Sequence, residues 1–344
     1  MLLQDPARLL MPALLALPLL IAACGEPVGE IEMPEPSGEV SEAEQRLADA
    51  VREPAALPEP LVAARVPEGQ HTSDVLRCLR GRDTAIISAH RGGVEEGFPE
   101  NAIETFANTL ARGPMILEMD LRRTSDGVIV MMHDETLERT TTGGGNVSDL
   151  TFAELSALQL VDNEGTTTAF RAPSLAEVLN WARGRALVQL DVKRTVPVEE
   201  VVAAVVANDA LSYAAVITYS VEDAIRAAQA DENVVISIQI TEQEHLDALL
   251  AAGIDPARLM AWTGVHREPR PDIWDMVAAA DIPIAFGALW YIDRDVMESG
   301  DVSIFQDIAD GGVTVIATDI HWTAYEALEE RQDTVAAFRA CTAQ

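Results

Sequence analysis

The sequence predicts an α/β fold, a (β/α)8 TIM barrel with a β-hairpin inserted after the second strand. Short apolar runs alternate with helical patterns, and eight such runs remain when the hairpin's return strand, residues 128–132, is left out. The predicted strands are residues 85–89, 115–121, 186–193, 214–219, 233–239, 258–263, 283–289 and 313–318. The predicted helices are residues 101–112, 174–183, 197–208, 221–230, 242–252, 271–280, 293–310 and a last one from Thr323.

An open, doubly wound sheet is the alternative to the barrel, because it shows the same alternation of strands and helices. Such a sheet commonly carries a glycine-rich phosphate loop after its first strand. Here the first strand is followed by His90-Arg91-Gly92-Gly93, which lacks the spacing of that loop. The barrel is therefore favoured, and its functional residues are expected at the carboxyl ends of the strands.

Composition divides the 344 residues into three predicted segments. Residues 1–23 contain an apolar run at 9–20, which has the length of a signal peptide and is short for a membrane span. Residues 24–72 are rich in Pro and Glu and predict an acidic, flexible tether. Residues 73–344 are predicted to form the barrel domain.

The end of the signal resembles a bacterial lipoprotein processing site, Ile21-Ala22-Ala23-Cys24. It predicts that Cys24 is lipidated and that the protein is exported. Gly25 resembles the residue that follows the cysteine in lipoproteins sorted to the outer membrane, so an outer-membrane or periplasm-facing location is expected. A plain secretory signal, cleaved without lipidation, is the alternative.

The formal net charge is −32, from 24 Lys and Arg against 56 Asp and Glu. A balance this acidic argues against nucleic acid and anionic membrane surfaces as partners, because both require basic patches. Membrane association is therefore expected through the N-terminal lipid anchor only. The remaining cysteines, Cys78 and Cys341, lie near the two ends of the predicted barrel, so a disulfide in an oxidising compartment and two free buried thiols are both open.

Glu118 and Asp120 lie two residues apart in the second predicted strand, so their side chains share one face. Burying two bare carboxylates costs several kcal/mol unless a cation lies with them. Asp191 and Lys193 alternate in the same way in a later strand. The three carboxylates form an all-oxygen set that suits one divalent cation, Ca²⁺ or Mg²⁺. A metal-free ion-pair cluster with Arg91 and Lys193 is the alternative.

A hairpin is predicted after Asp120, because the residues before Val128 are too few for a parallel crossover and include the turn signal Asp126-Gly127. With Asp126 and Gly127 as a two-residue turn, Asp120 lies opposite His133. The hairpin is thus expected to bring a histidine to the carboxylates.

Several ordered motifs in this region resemble the glycerophosphodiester phosphodiesterase family. They are His90-Arg91-Gly92, Pro99-Glu100-Asn101, Glu118-x-Asp120, Thr124-x-Asp126-Gly127, His133-Asp134 and Arg139-Thr140-Thr141. The resemblance implies a (β/α)8 barrel that uses Ca²⁺ or Mg²⁺ to hydrolyse glycerophosphodiesters to glycerol 3-phosphate and an alcohol. The expected partner is then a small molecule, a glycerophosphodiester or a lysolipid headgroup.

The resemblance also assigns roles to residues. His90 and His133 match the family's general acid and base, with no assignment of which is which. Arg91 and Lys193 are the expected phosphate-binding cations. Asp191 stands where the family has glutamate, which puts its direct ligation of the metal in question.

Glu100 and Asp134 are expected to support the site, while Asn101 is interpreted mainly as a helix N-cap. Two other functions remain open. One is a phospholipase D-like lipase acting on lysophospholipid or sphingomyelin. The other is a non-catalytic envelope lipoprotein, which the intact histidine pair disfavours.

Overall fold

The computed structural model describes residues 56–342 of the chain. The predicted signal peptide, Cys24 and the tether up to residue 55 lie outside the described residues. Among the helices between residues 56 and 342, none has the length and apolarity to cross a membrane.

Eight parallel strands close into a barrel, which confirms the predicted fold. Neighbouring strands follow the order β1-β9-β8-β7-β6-β5-β4-β2, and β1 pairs with β2 to complete the ring. The short strand β3 runs antiparallel along β2, as the predicted hairpin requires. The strands are β1 (Ile86–Ala89), β2 (Ile116–Arg123), β3 (Ile129–Met131), β4 (Leu187–Val192), β5 (Ala214–Thr218), β6 (Val235–Gln239), β7 (Leu259–Val265), β8 (Ile284–Gly287) and β9 (Val315–Thr318).

Helices surround the barrel and pack their apolar residues on it, with Phe106, Trp274, Phe305 and Phe338 almost fully buried. They are α1 (Thr72–Arg80), α2 (Ile103–Arg112), α3 (Phe152–Leu155), α4 (Leu175–Ala182), α5 (Val198–Ala207), α6 (Val221–Ala230), α7 (Gln243–Ala251), α8 (Pro271–Ala279), α9 (Ile292–Ser299), α10 (Ser303–Asp310), α11 (His321–Glu329) and α12 (Thr334–Cys341). The single helix predicted over 293–310 is wrong. Gly300, at φ 73°, ends α9 in the left-handed conformation, and α10 starts afresh.

The folded domain begins before the predicted boundary at residue 73. The Leu61 N–H donates to the Leu110 carbonyl at 2.8 Å, and the Ala64 N–H donates to the Arg185 carbonyl at 3.1 Å. Val62 and Ala64 are buried in the core. The last part of the predicted tether therefore packs on the barrel, because it carries enough apolar residues to be buried there.

A disulfide joins Cys78 in α1 to Cys341 in α12, with their Cα atoms 5.7 Å apart. Of the two states left open by the sequence, the bridged one is confirmed. The cysteines are 263 residues apart in sequence but close in space, because β1 and β9 are neighbours in the closed barrel. A cross-link of this kind typically contributes about 2–4 kcal/mol to the free energy of unfolding.

The hairpin is confirmed, but its predicted register is wrong by one residue. Leu121 pairs with Met131, and the Met132 N–H donates to the Asp120 carbonyl at 2.9 Å, so Asp120 lies opposite Met132 and not His133. The Gly127 N–H donates to the Thr124 carbonyl at 3.0 Å, and Gly127 has φ 87°. The turn thus has three residues, a type I turn followed by a left-handed glycine, and this shifts the pairing.

His321 at the start of α11 is 3% exposed, and its Nε2 lies 3.9 Å from the Glu95 carboxylate. Burial, aided by the nearby Arg112 charge, lowers the pKa of His321 from 6.5 to about 4, and Glu95 offsets only part of this. The unfolded chain therefore binds the proton more readily than the folded chain. The corresponding stability is complete above pH 6.5 and is lost as the pH falls towards 4.

Between pH 7 and pH 5 the free energy of unfolding should fall by about 2 kcal/mol more in the wild type than in His321→Gln. Guanidinium denaturation of both proteins at the two pH values measures this difference. His245→Gln, which changes a less buried histidine, is the control and should retain the wild-type response. Equal losses in the wild type and His321→Gln would contradict the assignment.

Candidate active site

The predicted site residues meet at the carboxyl end of the barrel. His90 and Arg91 follow β1, and His133 follows β3. Glu118 and Asp120 lie in β2, whose register places Asp120 beside Asp191 of β4. Neighbouring residues of adjacent strands point to the same face, which explains why carboxylates that are distant in sequence converge.

The Glu118, Asp120 and Asp191 carboxylates form a compact buried cluster, with one oxygen of each within 4.8 Å of the others. They are 8%, 1% and 7% exposed. Burial, together with the charge of Asp120, raises the pKa of Glu118 to about 8. Burial also acts to raise the pKa of Asp120, but the charges of Lys193 and His133 outweigh it and lower that pKa. The side chains around the cluster therefore neutralise only part of its negative charge.

Lys193 is the cation that lies within this cluster. Its Nζ is 2.6 Å from Asp120 Oδ1 and 2.5 Å from Asp191 Oδ2. The Tyr219 hydroxyl, at the end of β5, donates to the other Asp191 oxygen at 2.6 Å. Lys193 therefore forms ion pairs within the cluster, whereas the Arg91 guanidinium donates to Glu100 at 2.8 Å.

Asn101 holds Asp120 through two hydrogen bonds. Its Nδ2 donates to Asp120 Oδ2 at 2.8 Å, and its Oδ1 accepts from the Asp120 N–H at 2.9 Å. Asn101 has φ 62°, while Ala102 is the N-cap of α2. The prediction of Asn101 as a helix cap is therefore wrong, because its amide pairs with a strand residue and fixes the orientation of a cluster carboxylate.

His90 is oriented by Asp319, which follows β9 and is itself held by Asp293 of α9. Its Nδ1 lies 2.6 Å from Asp319 Oδ1, and the Asp319 N–H donates to Asp293 at 2.7 Å. Burial acts against protonation of His90, but the Asp319 hydrogen bond and the charge of Glu118 outweigh it and raise the pKa. With Nδ1 engaged, Nε2 is the ring nitrogen left for proton exchange.

His133 is oriented in the same way by its neighbour Asp134, whose Oδ1 lies 2.7 Å from Nδ1. Arg139 donates to the other Asp134 oxygen at 2.6 Å and reaches both oxygens of Glu100 at 2.8 and 2.9 Å. Glu100 is 3% exposed and also accepts from Arg91. Glu100 and Asp134 thus lie in one network that connects His133 to Arg91.

The loop that carries His90 and Arg91 is tightly constrained. Arg91 has φ 54°, and its N–H donates to Glu118 at 2.8 Å. Gly92 has φ 86°, and a Cβ there would lie 2.1 Å from the Phe106 ring. Only glycine fits this position, so the His-Arg-Gly order reflects packing as well as chemistry.

Sequence reasoning did not identify Tyr219 and Asp293 as site residues. Each contacts a partner far away in the chain, 28 residues from Tyr219 to Asp191 and 26 from Asp293 to Asp319. The available signal was position, since Tyr219 follows β5 directly at the carboxyl end of the barrel.

The family model for glycerophosphoryl diester phosphodiesterases matches residues 90–317, which include every residue of the carboxylate cluster and both histidines. The chain belongs to the glycerophosphoryl diester phosphodiesterase family. Membership of this family explains why the chain folds as a barrel and why its motifs occur in this order.

Two relatives of known family show how far the similarity extends. Mouse glycerophosphodiester phosphodiesterase 1 is 38% identical over 122 residues, which are 34% of this chain and 37% of the mouse protein. The crystal structure of a glycerophosphoryl diester phosphodiesterase from Parabacteroides distasonis has a TM-score of 0.70 and 30% identity, and the match covers 78% of this chain and 94% of that one.

A third relative shows the same fold at lower identity. This Oleispira antarctica phosphodiesterase has a TM-score of 0.55 and 19% identity, covering 73% of this chain and 99% of that one. Its structure is a complex with the product sn-glycerol-3-phosphate.

Proposed function

We propose that this protein hydrolyses glycerophosphodiesters to glycerol 3-phosphate and an alcohol, with one divalent cation at Glu118, Asp120 and Asp191. The observation that carries the proposal is the meeting of a buried carboxylate cluster with two histidines, each hydrogen-bonded to an aspartate. The Oleispira antarctica relative, with its bound glycerol 3-phosphate, supports the same substrate class.

The carboxylate cluster fits a hard divalent cation. All of its donors are oxygens, and the one lysine beside it neutralises only part of its charge. Lys193 contacts both Asp120 and Asp191, and the second oxygens of these carboxylates accept from Asn101 and Tyr219, so each would have to exchange a partner to bind a metal. A bound Ca²⁺ or Mg²⁺ would supply Lewis-acid polarisation of a phosphoryl oxygen.

His90 and His133 are suited to the two proton transfers that cleavage requires. One imidazole accepts the proton of the attacking hydroxyl, and the other protonates the departing alkoxide. The aspartate at each Nδ1 fixes the tautomer and stabilises the imidazolium when it forms. Arg91 and Lys193 add positive charge for the phosphate, which is anionic throughout.

The decisive experiment is an assay of chelated full-length protein across a metal series. Release of glycerol 3-phosphate from glycerophosphoethanolamine and glycerophosphocholine should appear on addition of Ca²⁺ or Mg²⁺ and vanish with excess chelator. Absence of release with every metal would contradict the proposed function.

A second candidate, hydrolysis of lysophospholipid or sphingomyelin in a phospholipase D-like reaction, is favoured by one observation. Trp290 and Tyr291, after the carboxyl end of β8, are 65% and 43% exposed, and large exposed aromatics suit a lipid surface. Under this proposal Cys24 carries the lipid anchor of an exported protein. Comparing lysophosphatidylcholine with glycerophosphocholine at equal concentration distinguishes the two activities.

A further inference from the structure

A cavity of about 270 Å³ opens beside the carboxylate cluster, between the loop after β4 and the loop after β5. Lys193 and Tyr219 line it, and both also contact Asp191. A diester whose phosphate reaches Lys193 would therefore have one of its two ester groups within reach of this cavity. The inference drawn from this cavity rests on the proposed function.

The cavity is basic although the protein is strongly acidic. Lys193, Arg194 and Arg226 line it, with Asp223 as the only acidic residue among its lining side chains. The chain as a whole has 24 Lys and Arg against 56 Asp and Glu. A cavity with this charge favours an anionic occupant and disfavours a quaternary ammonium group.

The three cations differ in how fully they are engaged. Lys193 pairs with Asp120 and Asp191, and Arg226 pairs with Asp223 and with Glu199. Within residues 56–342, the Arg194 guanidinium has no ion-pair or hydrogen-bond partner. A guanidinium without such a partner can donate two hydrogen bonds to a carboxylate or phosphate.

Two helix N-termini also lie at the cavity. Val198, the first residue of α5, lines the cavity, and so does Ser220, the N-cap of α6. Each helix has ten residues. The first turns carry Glu199 and Glu200 in α5 and Glu222 and Asp223 in α6, which offset the partial positive charge of these N-termini. The preference for an anion therefore depends on Arg194.

We infer that this cavity is a subsite for a second anionic group on the alcohol half of the substrate, a carboxylate or a phosphate, and that Arg194 selects for it. The preferred diesters then carry negative charge beyond the scissile phosphate. Choline esters are poorer substrates, because their trimethylammonium group would face Arg194.

Two matched pairs of diesters test the inference in the metal-loaded full chain. Glycerophosphoserine differs from glycerophosphoethanolamine by one carboxylate, and glycerophosphoglycerol 3-phosphate differs from glycerophosphoglycerol by one phosphate. We expect kcat/KM about tenfold higher for the anionic member of at least one pair, and the pair that responds identifies the anion. Arg194→Glu should reduce that ratio to one or below, and Arg194→Lys should restore part of it.

Arg331→Ala is the matched control, because Arg331 is an exposed arginine that follows the carboxyl end of α11, away from the cavity. It should retain the wild-type ratio. A ratio near one in the wild type, or a ratio that survives Arg194→Glu, would overturn the inference while leaving the proposed function intact.

Calorimetric binding of glycerophosphoserine separates the inference from turnover. Arg194→Glu should weaken this binding about tenfold whether or not hydrolysis occurs, and unchanged affinity would overturn the inference. Binding that depends on Arg194 without hydrolysis of any diester would instead contradict the proposed function alone.

Discussion

His133→Ala should lower kcat for glycerophosphodiester hydrolysis by about 10²- to 10⁴-fold, the range typical of a lost general acid or base. The imidazole follows β3 at the carboxyl end of the barrel, and its Nδ1 is fixed by Asp134 at 2.7 Å. Under the proposed function His133 transfers a proton in the transition state, so the loss should fall mainly on kcat, with KM changed much less.

Variants around His133 distinguish proton transfer from a structural role. Asp134→Asn keeps the size of the side chain but removes the carboxylate that holds His133 Nδ1, so kcat should fall less than in His133→Ala. His245→Ala is the control, since it removes a histidine that belongs to α7 and should retain wild-type kcat. Full turnover in His133→Ala would refute the assignment of His133.

The second large effect concerns the cation. Titrating Ca²⁺ or Mg²⁺ into chelated protein should give one binding site by calorimetry, and Asp120→Asn should weaken it most because Asp120 is the most buried carboxylate of the cluster. Asn101→Ala should weaken it by about 10- to 100-fold, the usual cost of removing a partner that orients a metal ligand.

Metal binding can also be followed without any substrate. At a free metal concentration of 100 times Kd, the folded state should gain about 2.7 kcal/mol, which raises the thermal midpoint. Asp272→Asn, which removes an exposed carboxylate paired with Arg270, is the control and should leave both readouts unchanged. Equal metal affinity in Asp120→Asn and the wild type would leave the cluster as an ion-pair site centred on Lys193.

The sequence predicted the barrel because strand and helix periodicity is local, and all eight parallel strands lie where it placed them. It also placed Glu118 and Asp120 on one face, which follows from two-residue alternation alone. Local spacing could not fix the hairpin register, since Ser125-Asp126-Gly127-Val128 is compatible with two-residue and three-residue turns. A two-residue Asp-Gly turn needs both residues in the left-handed region, and only Gly127 is there, so the longer turn forms.

Local periodicity and spacing could not predict contacts between distant strands. The partner of His90 is Asp319, 229 residues away, and nothing in the spacing relates the two. Asn101 was misassigned for a similar reason, because a position just before a helix suggests a cap, whereas its amide is used by a strand 19 residues further along. Partners across the barrel become visible only once the ring is closed.

The bond between Cys78 and Cys341 has a consequence for where the protein can mature. It joins α1 to α12 near the place where β1 pairs with β9, so it adds a covalent link to the closure that strand pairing makes. Protein produced in a reducing cytosol would lack this disulfide. It would lose activity sooner on heating than protein oxidised after secretion. The choice of expression compartment therefore determines which form of the enzyme a laboratory studies.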